Sequence, residues 1–295
     1  MESSIKSHSL SIIEHLTYIS LRLMSFMISF LPRSLSLIIG GYFGRFIKFC
    51  IKKRKNVALQ NIKYCFPKLD HYEHLKILDK TYQHFGKIIF EFLRMPYLNE
   101  KKINNIISFD EETKILLKDI RSGIILTAHF GNWEMIQPIF NLNNINLISV
   151  AQVQKNKGAN KFFTWIRNKT NTKVIFKNES TIKMIKIIKN NFLGLASDQY
   201  AGKSGVPVNF FGKETLSPLG ATYFHIKTGV PILIGFCKLM SDFTYSISFK
   251  KLNIEDISKN IKESSILINQ KFNLILESEI KKKPEQFFWF HRKWR

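Results

Sequence analysis

Cysteine is scarce in this chain of 295 residues: Cys50, Cys65 and Cys237 are an odd number with no CxxC spacing. That excludes a disulfide framework and a cysteine-built structural zinc site, and it fits a reducing compartment. Several catalytic signatures are also missing. There is no HExxH, no GxSxG, no Walker A and no GxGxxG after a strand. Zinc peptidase, serine hydrolase, nucleoside triphosphatase and dinucleotide dehydrogenase chemistry therefore lack their usual marks. Acidic residues are few, 22 against 45 Lys and Arg, which leaves a net charge of +23. Such an excess suits nucleic acid, a membrane surface, or acidic proteins and phosphorylated substrates. Part of it reflects a general richness in Lys, Ile and Asn. The lysines are spread along the chain, and no zinc-finger spacing, RNP-like aromatic motif or basic-region heptad is present, so nucleic acid is not an expected partner.

A long uninterrupted apolar run is lacking too. Leu16 to Leu31 is apolar apart from Arg22 and a few hydroxyls, Pro32 and Arg33 interrupt, and Leu35 to Cys50 resumes with Gly40, Gly41 and Gly44. Neither half reaches the usual length of a clean bilayer span. No small-residue cleavage site follows, which argues against a cleavable signal. The tract ends in Lys52-Lys53-Arg54-Lys55, suited to an anionic headgroup layer. The expectation is a helical membrane anchor over 1–55, either hairpin-like, interfacial or one imperfect span. A buried helical pair with a basic exit is the plainer alternative.

What is present is an ordered alternation. Residues 54–95 read as helices, with Phe85, Ile88, Ile89, Phe92 and Leu93 at helical spacing and a break at Phe66-Pro67. From Gly123 onward, strands are expected at Ile124–Thr127, Leu147–Val153, Lys173–Phe176, Leu193–Ser197, Ile232–Cys237 and Tyr245–Phe249. Helices are expected at Lys161–Lys169, Ile182–Asn190, Ala221–Thr228 and near Ser258 to Ile280. This pattern predicts an α/β fold, a mixed β-sheet flanked by helices, over 56–295. No solenoid repeat or low-complexity linker divides it.

The apolar run Ile124 to Leu126 stops at Thr127-Ala128, and His129-Phe-Gly-Asn-Trp-Glu134 follows. The spacing predicts a strand, a tight turn carrying His129, and a helix start carrying Glu134. A carboxylate reaching back to an imidazole makes a general base near neutral pH. Gly131 and Asn132 suit a close turn whose N–H groups could face an oxyanion. Asp198-Gln199 ends another apolar run and could face the same pocket, or simply cap a turn. Arg167 offers a fork for phosphate or an acyl donor, or is a solvated helix residue. Phe210-Phe-Gly-Lys213 is either the wall of a lipid groove or a core turn. Pro284 to Arg295 is aromatic and basic, fit for a membrane interface or for docking on the core. No metal or cofactor is expected.

Taken together, these blocks resemble the lipid A biosynthesis acyltransferase family, the late lauroyl and myristoyl transferases of Gram-negative bacteria. His129 to Glu134 is similar to the family's HxxxxD/E block. Asp198-Gln199, Phe210-Phe-Gly212, and Pro284-Glu-Gln286 with His291-Arg292 match further blocks in order, as does Cys65-Phe66-Pro67 near the N-terminus. The resemblance implies transfer of a fatty acyl chain from acyl carrier protein to a hydroxyl of a Kdo-bearing lipid A precursor. It implies attachment to the cytoplasmic face of the inner membrane and a His129–Glu134 dyad, with supporting roles for Arg167 and Asp198. One departure is visible: where many members carry Tyr-Arg after the second strand, this chain has Ala151-Gln152, with Lys155 and Lys157 as nearby substitutes. Another membrane lipid acceptor (a phosphatidylinositol mannoside or glycerolipid), or a non-catalytic basic membrane- or nucleic-acid-binding protein, are the alternative readings.

Overall fold

The computed structural model describes residues 10–294 apart from positions 178 and 256. The first nine residues of the expected anchor, and the last of the aromatic tail, lie outside the described residues.

The chain opens with four helices: α1 (Ile12–Ser29), α2 (Arg33–Cys50), α3 (Lys52–Cys65) and α4 (His71–Arg94). Their ends follow local chemistry. Ser11 and Glu14 form a capping box on α1, and Asp70 and Glu73 form one on α4. Pro32 separates α1 from α2, and α3 stops ahead of Pro67, since a proline disfavours helical geometry in the residue before it. Next come α5 (Glu100–Asn104), β1 (Ile107–Phe109), α6 (Glu111–Asp119), β2 (Gly123–Thr127), α7 (Ile136–Leu142) and β3 (Leu147–Ala151). The second half contains α8 (Lys157–Lys169), β4 (Lys173–Phe176), α9 (Thr181–Ile188), β5 (Phe192–Ala196), β6 (Val206–Phe210) and β7 (Lys213–Ser217). It closes with α10 (Gly220–Thr228), β8 (Ile232–Leu239), β9 (Tyr245–Lys251) and α11 (Ile261–Lys282).

Seven strands form one sheet in the order β1-β9-β8-β2-β5-β3-β4. Every pairing is parallel except β8 with β9. Those two are joined by a short turn, which can return the chain only antiparallel, whereas the parallel neighbours are reached through crossovers. The sheet is therefore mixed and flanked by helices. β2 lies at its centre with all five residues buried. Ile124 and Leu126 join a core with Phe272 and Leu276 of α11, while Ile125 joins a second core with Ile139 and Phe140 of α7. The strand's period of two splits one apolar run between two helical layers.

The N-terminal helices pack on the sheet domain. α2 crosses α4 at very close range: a Cβ on Gly44 would lie 1.9 Å from the Tyr82 carbonyl oxygen, and one on Gly86 would lie 2.0 Å from that of Gly40. Arg22, the charged interruption of the first apolar tract, stacks 3.9 Å from the Trp165 ring of α8 and donates to the Tyr18 hydroxyl at 2.7 Å. Ser25 donates to the Leu93 carbonyl at 2.6 Å. The outer faces remain apolar and exposed, with Ile12, Leu16, Phe26, Phe30, Phe46 and Phe49 uncovered. Among the described residues no single helix is long and apolar enough to cross a membrane; α2 and α3 satisfy that test only as a pair bent by 102°.

Candidate active site

His129 follows β2 directly, at the carboxyl edge of the central strand, where α/β sheets collect functional groups. Its neighbours Ala128 and Phe130 are wholly buried, so the turn is fixed from below. Phe288 donates its N–H to the His129 carbonyl at 2.9 Å, tying the turn to the C-terminal segment. Trp133 stands edge-on to the imidazole with ring centres 4.9 Å apart.

The carboxylate hydrogen-bonded to the imidazole is Asp198. Its Oδ1 lies 2.8 Å from His129 Nδ1. Asp198 follows β5, and β5 pairs directly with β2, so the two strand ends bring the groups together. The Asp198 side chain is 3% exposed and that of His129 is 24% exposed, so the carboxylate is sealed while the ring still reaches solvent. Burial opposes charge on His129, but the Asp198 carboxylate outweighs it, aided by Glu134, and the imidazole titrates above its ordinary value. Burial likewise opposes the Asp198 anion, yet His129 and Lys293 hold that carboxyl below the usual range. With Nδ1–H directed at Asp198, Nε2 carries the lone pair that can take a proton. Gln199 brings its amide nitrogen to 3.4 Å from the same Nδ1, a weaker approach than that of Asp198.

Glu134, expected to hold the imidazole, bears on it through its charge, while the hydrogen bond to the ring is made by Asp198. Glu134 sits on a short 3₁₀ turn, Trp133–Met135, leading into α7, and its Oε1 accepts from Trp133 Nε1 at 3.1 Å. Its electrostatic partners are first Arg167 and then His129; burial raises its carboxyl above the usual range against both. A turn only five residues long leaves Glu134 beside the ring, while the adjoining strand delivers Asp198 onto it. Arg167, on the last turn of α8, is thus more than a solvated helix residue: it faces Glu134 across a cavity, with burial lowering its guanidinium and Glu134 opposing that.

A correction concerns Gly131 and Asn132. Gly131 N–H donates to the Gln286 carbonyl at 2.9 Å, and Asn132 N–H donates to that of Cys237 at 2.7 Å. Both N–H groups are consumed inside the fold and do not face an oxyanion. Gly131 is there because its φ is +65° and a Cβ would come within 2.0 Å of the Cys237 oxygen. Asn132 donates instead through its side chain to the Tyr245 hydroxyl at 2.8 Å, which donates to Glu91, itself paired with Arg33.

Two cavities meet at His129. One, of about 280 Å³, runs between Phe92, Met95, Phe163 and Ile166 and includes Glu134 and Arg167. The other, of about 630 Å³, extends past Gln199, Lys177, Met184 and Phe224. His129, Val150, Ala151, Gln152 and Ala196 line both. Gln152 is therefore at the junction, and the cation bordering the larger cavity is Lys177; neither Lys155 nor Lys157 borders the two cavities. No group of three or more His, Cys, Asp or Glu capable of holding a metal occurs among the described residues.

The other blocks fall into place as supports. Phe211 and Gly212, at φ +52° and +74°, form the two-residue turn of the β6–β7 hairpin, and Phe210 is fully buried. The tail after Pro284 is docked on the core: Asn61 donates to the carbonyls of Trp289 and His291 at 2.7 Å each. Lys293, hidden in that basic and aromatic run, is only 3% exposed and donates to the Asp198 carbonyl at 2.5 Å. Nothing in its spacing marks it off from the exposed Arg292 beside it.

A histidine–carboxylate pair at paired strand ends, between a narrow cavity of mixed apolar and charged lining and a wider one, is the candidate site of this α/β fold. The bacterial lipid A biosynthesis acyltransferase family matches residues 3–295, and the chain belongs to that family. It is 21% identical to the lipid A biosynthesis palmitoleoyltransferase of Escherichia coli (strain K12) over 275 residues, covering 90% of this chain and 86% of that one. The lipid A biosynthesis acyltransferase of Shigella flexneri matches to the same extent. Among solved structures, the 1-acyl-sn-glycerophosphate acyltransferase PlsC from Thermotoga maritima is 15% identical, with a TM-score of 0.34, over 91% of this chain and 98% of that one. The protein is an acyltransferase of lipid A biosynthesis.

Proposed function

We propose that the protein transfers a fatty acyl chain, of the lauroyl or myristoyl class, from acyl carrier protein to a hydroxyl of a Kdo-bearing lipid A precursor. The observation that carries the mechanism is the 2.8 Å bond between His129 Nδ1 and Asp198. His129 Nε2 takes the proton of the acceptor hydroxyl as its oxygen attacks the thioester carbonyl. The tetrahedral intermediate collapses with cleavage of the C–S bond, and the imidazolium returns its proton to the leaving thiolate. Asp198 holds the ring and balances the imidazolium charge. With the N–H groups of the turn engaged elsewhere, the Gln199 side-chain amide is a candidate donor to the developing oxyanion. Glu134 and Arg167 line the narrower cavity, where Arg167 can meet an anionic group and Glu134 adds negative potential near the ring.

The site works at the cytoplasmic face of the inner membrane, held there by the exposed apolar faces of α1 and α2 and the Lys52 to Lys55 cluster. The basic surface speeds encounter with an acidic carrier protein and a phosphorylated acceptor. Mass spectrometry of lipid A from cells with and without the protein tests this reading. A gain of one acyl chain is expected, and its mass gives the donor length. Unchanged lipid A, with acylation of a phosphatidylinositol mannoside or glycerolipid instead, would move the acceptor to another membrane lipid.

A further inference from the structure

Lys293 is a cation in a place that penalises cations. It is 3% exposed, and its ammonium nitrogen lies over the Phe210 ring, 4.7 Å from the centroid. Burying an ammonium without a counter-ion is expensive. Among the described residues no carboxylate lies within salt-bridge distance of it. What Nζ does reach is the Asp198 carbonyl oxygen at 2.5 Å. The main chain at Lys293 is itself pinned, since Thr215 donates its hydroxyl to the Lys293 carbonyl at 2.7 Å. A lysine held at both ends, with its charge aimed at the residue that grips His129, is placed to control that residue.

We propose that Lys293 is a positioning residue: its buried ammonium fixes the main chain at Asp198 and sets beside the ionised Asp198 carboxylate a second positive charge that competes with the His129 imidazolium for it. The inference rests on the base role proposed for His129. The charged and titratable groups that bear on the cluster are few. Asp198 faces His129 and Lys293, His129 also feels Glu134, Glu134 faces Arg167, and Lys293 also faces the thiol of Cys65, which in turn feels Glu277. Lys293 is therefore the positive charge on the Asp198 side of the imidazole, and Arg167 the one on the Glu134 side. Burial pushes the Lys293 ammonium down to about 8, with Asp198 and Cys65 acting in its favour, so it is charged at neutral pH and loses that charge in mild alkali.

Lys293→Gln removes the charge and retains an amide donor; Lys293→Met removes both. Without the cation the site is more negative, so His129 holds its proton to higher pH. In ¹⁵N NMR the His129 titration should move up by about one pH in both variants. In Lys293→Met, kcat should also fall about tenfold or more with KM little changed, because a displaced Asp198 misorients the base. Lys293→Arg should preserve the titration. In the unaltered protein the Asp198 carboxyl carbon should show an inflection near pH 8, whether or not any variant folds. A folded Lys293→Gln with an unmoved His129 titration, or no such inflection in the Asp198 signal, would overturn the proposal. Both readouts are independent of turnover. Should His129→Ala remain active, the base assignment fails instead, and the two failures are told apart.

Discussion

The Asp198 carboxylate, delivered by β5, lies 2.8 Å from His129 Nδ1 on the neighbouring strand β2, whereas Glu134, only five residues from His129, pairs electrostatically with Arg167. Sequence proximity and hydrogen-bond partnership are thus separated. His129→Ala is expected to lower kcat by about 10²–10⁴-fold with the fold intact. Asp198→Asn should produce a loss of similar order, because an amide cannot balance the imidazolium and can favour the wrong tautomer. Steady-state kinetics with circular dichroism checks both; a folded Asp198→Asn protein at full rate would remove Asp198 from the mechanism.

Glu134 and Arg167 should behave as a unit. Each opposes the burial penalty of the other. Removing either leaves a desolvated charge, while removing both leaves none. Single Glu134→Gln and Arg167→Met variants are expected to be impaired by more than their combination predicts, with a coupling of about 0.5–3 kcal/mol in kcat/KM. Additive losses would show that the pair does not act together across the cavity.

The pH dependence follows from the directions of the shifts. His129 is raised above 6.5 and must be neutral to act as base, so the acid limb of kcat/KM should lie above that value. For stability the signs differ by group. The raised His129 contributes stability that is fully present below 6.5 and is lost as pH rises through its folded value. The lowered Asp198 contributes stability present above 3.8 and lost as pH falls through its folded value. Rate profiles, and thermal midpoints of Asp198→Asn against the unaltered chain across pH 3–9, measure both; an acid limb at or below 6.5 contradicts the assignment.

Much of the sheet was legible because its strands are short apolar runs bounded by turns. The expected Lys173–Phe176 coincides with β4, and Leu193–Ser197 and Ile232–Cys237 differ from β5 and β8 by one or two end residues. β1 was missed because it is an edge strand of only three residues, too short for an alternating pattern to show. The β6–β7 hairpin was missed because its turn is Phe-Gly, where a non-glycine residue takes positive φ. Within the site, His129 was legible at a strand end. Asp198 was legible as a strand-end acid that could face the same pocket but not as the group bonded to His129, because strand order decides which strand ends are neighbours, and a sequence pattern does not reveal that order. Lys293 and the Arg33–Glu91–Tyr245–Asn132 chain depend on contacts across 58 to 154 residues and leave no local trace.

Gly131 should tolerate no side chain. Its φ of +65° is strained for any L-residue, and an added Cβ would meet the Cys237 oxygen at 2.0 Å, a backbone atom that cannot swing aside. The same N–H and carbonyl are held by Gln286 and His84, so the turn cannot relax outward without breaking both bonds. Gly131→Ala is expected to cost at least about 3 kcal/mol of stability. A thermal midpoint within a degree or two of the unaltered protein would show that the turn can shift.

Membrane attachment should depend on two separable features of the N-terminal helices. Phe26, Phe30, Phe46 and Phe49 are at least half exposed, and the attachment proposed above would sink these rings into the interface. The Lys52 to Lys55 cluster adds attraction to anionic headgroups worth about 1 kcal/mol per cation at low salt. Replacing the four phenylalanines by serine should weaken binding to both phosphatidylcholine and phosphatidylglycerol vesicles. Replacing the four cations by glutamine should weaken binding to phosphatidylglycerol alone, and only that loss should be mimicked by raising the salt. Flotation of the intact protein with each vesicle type reads the outcome. If the serine variant stays fully vesicle-bound at high salt, the helix faces are not the anchor; if the glutamine variant is indifferent to lipid charge and salt, the cluster plays no electrostatic part.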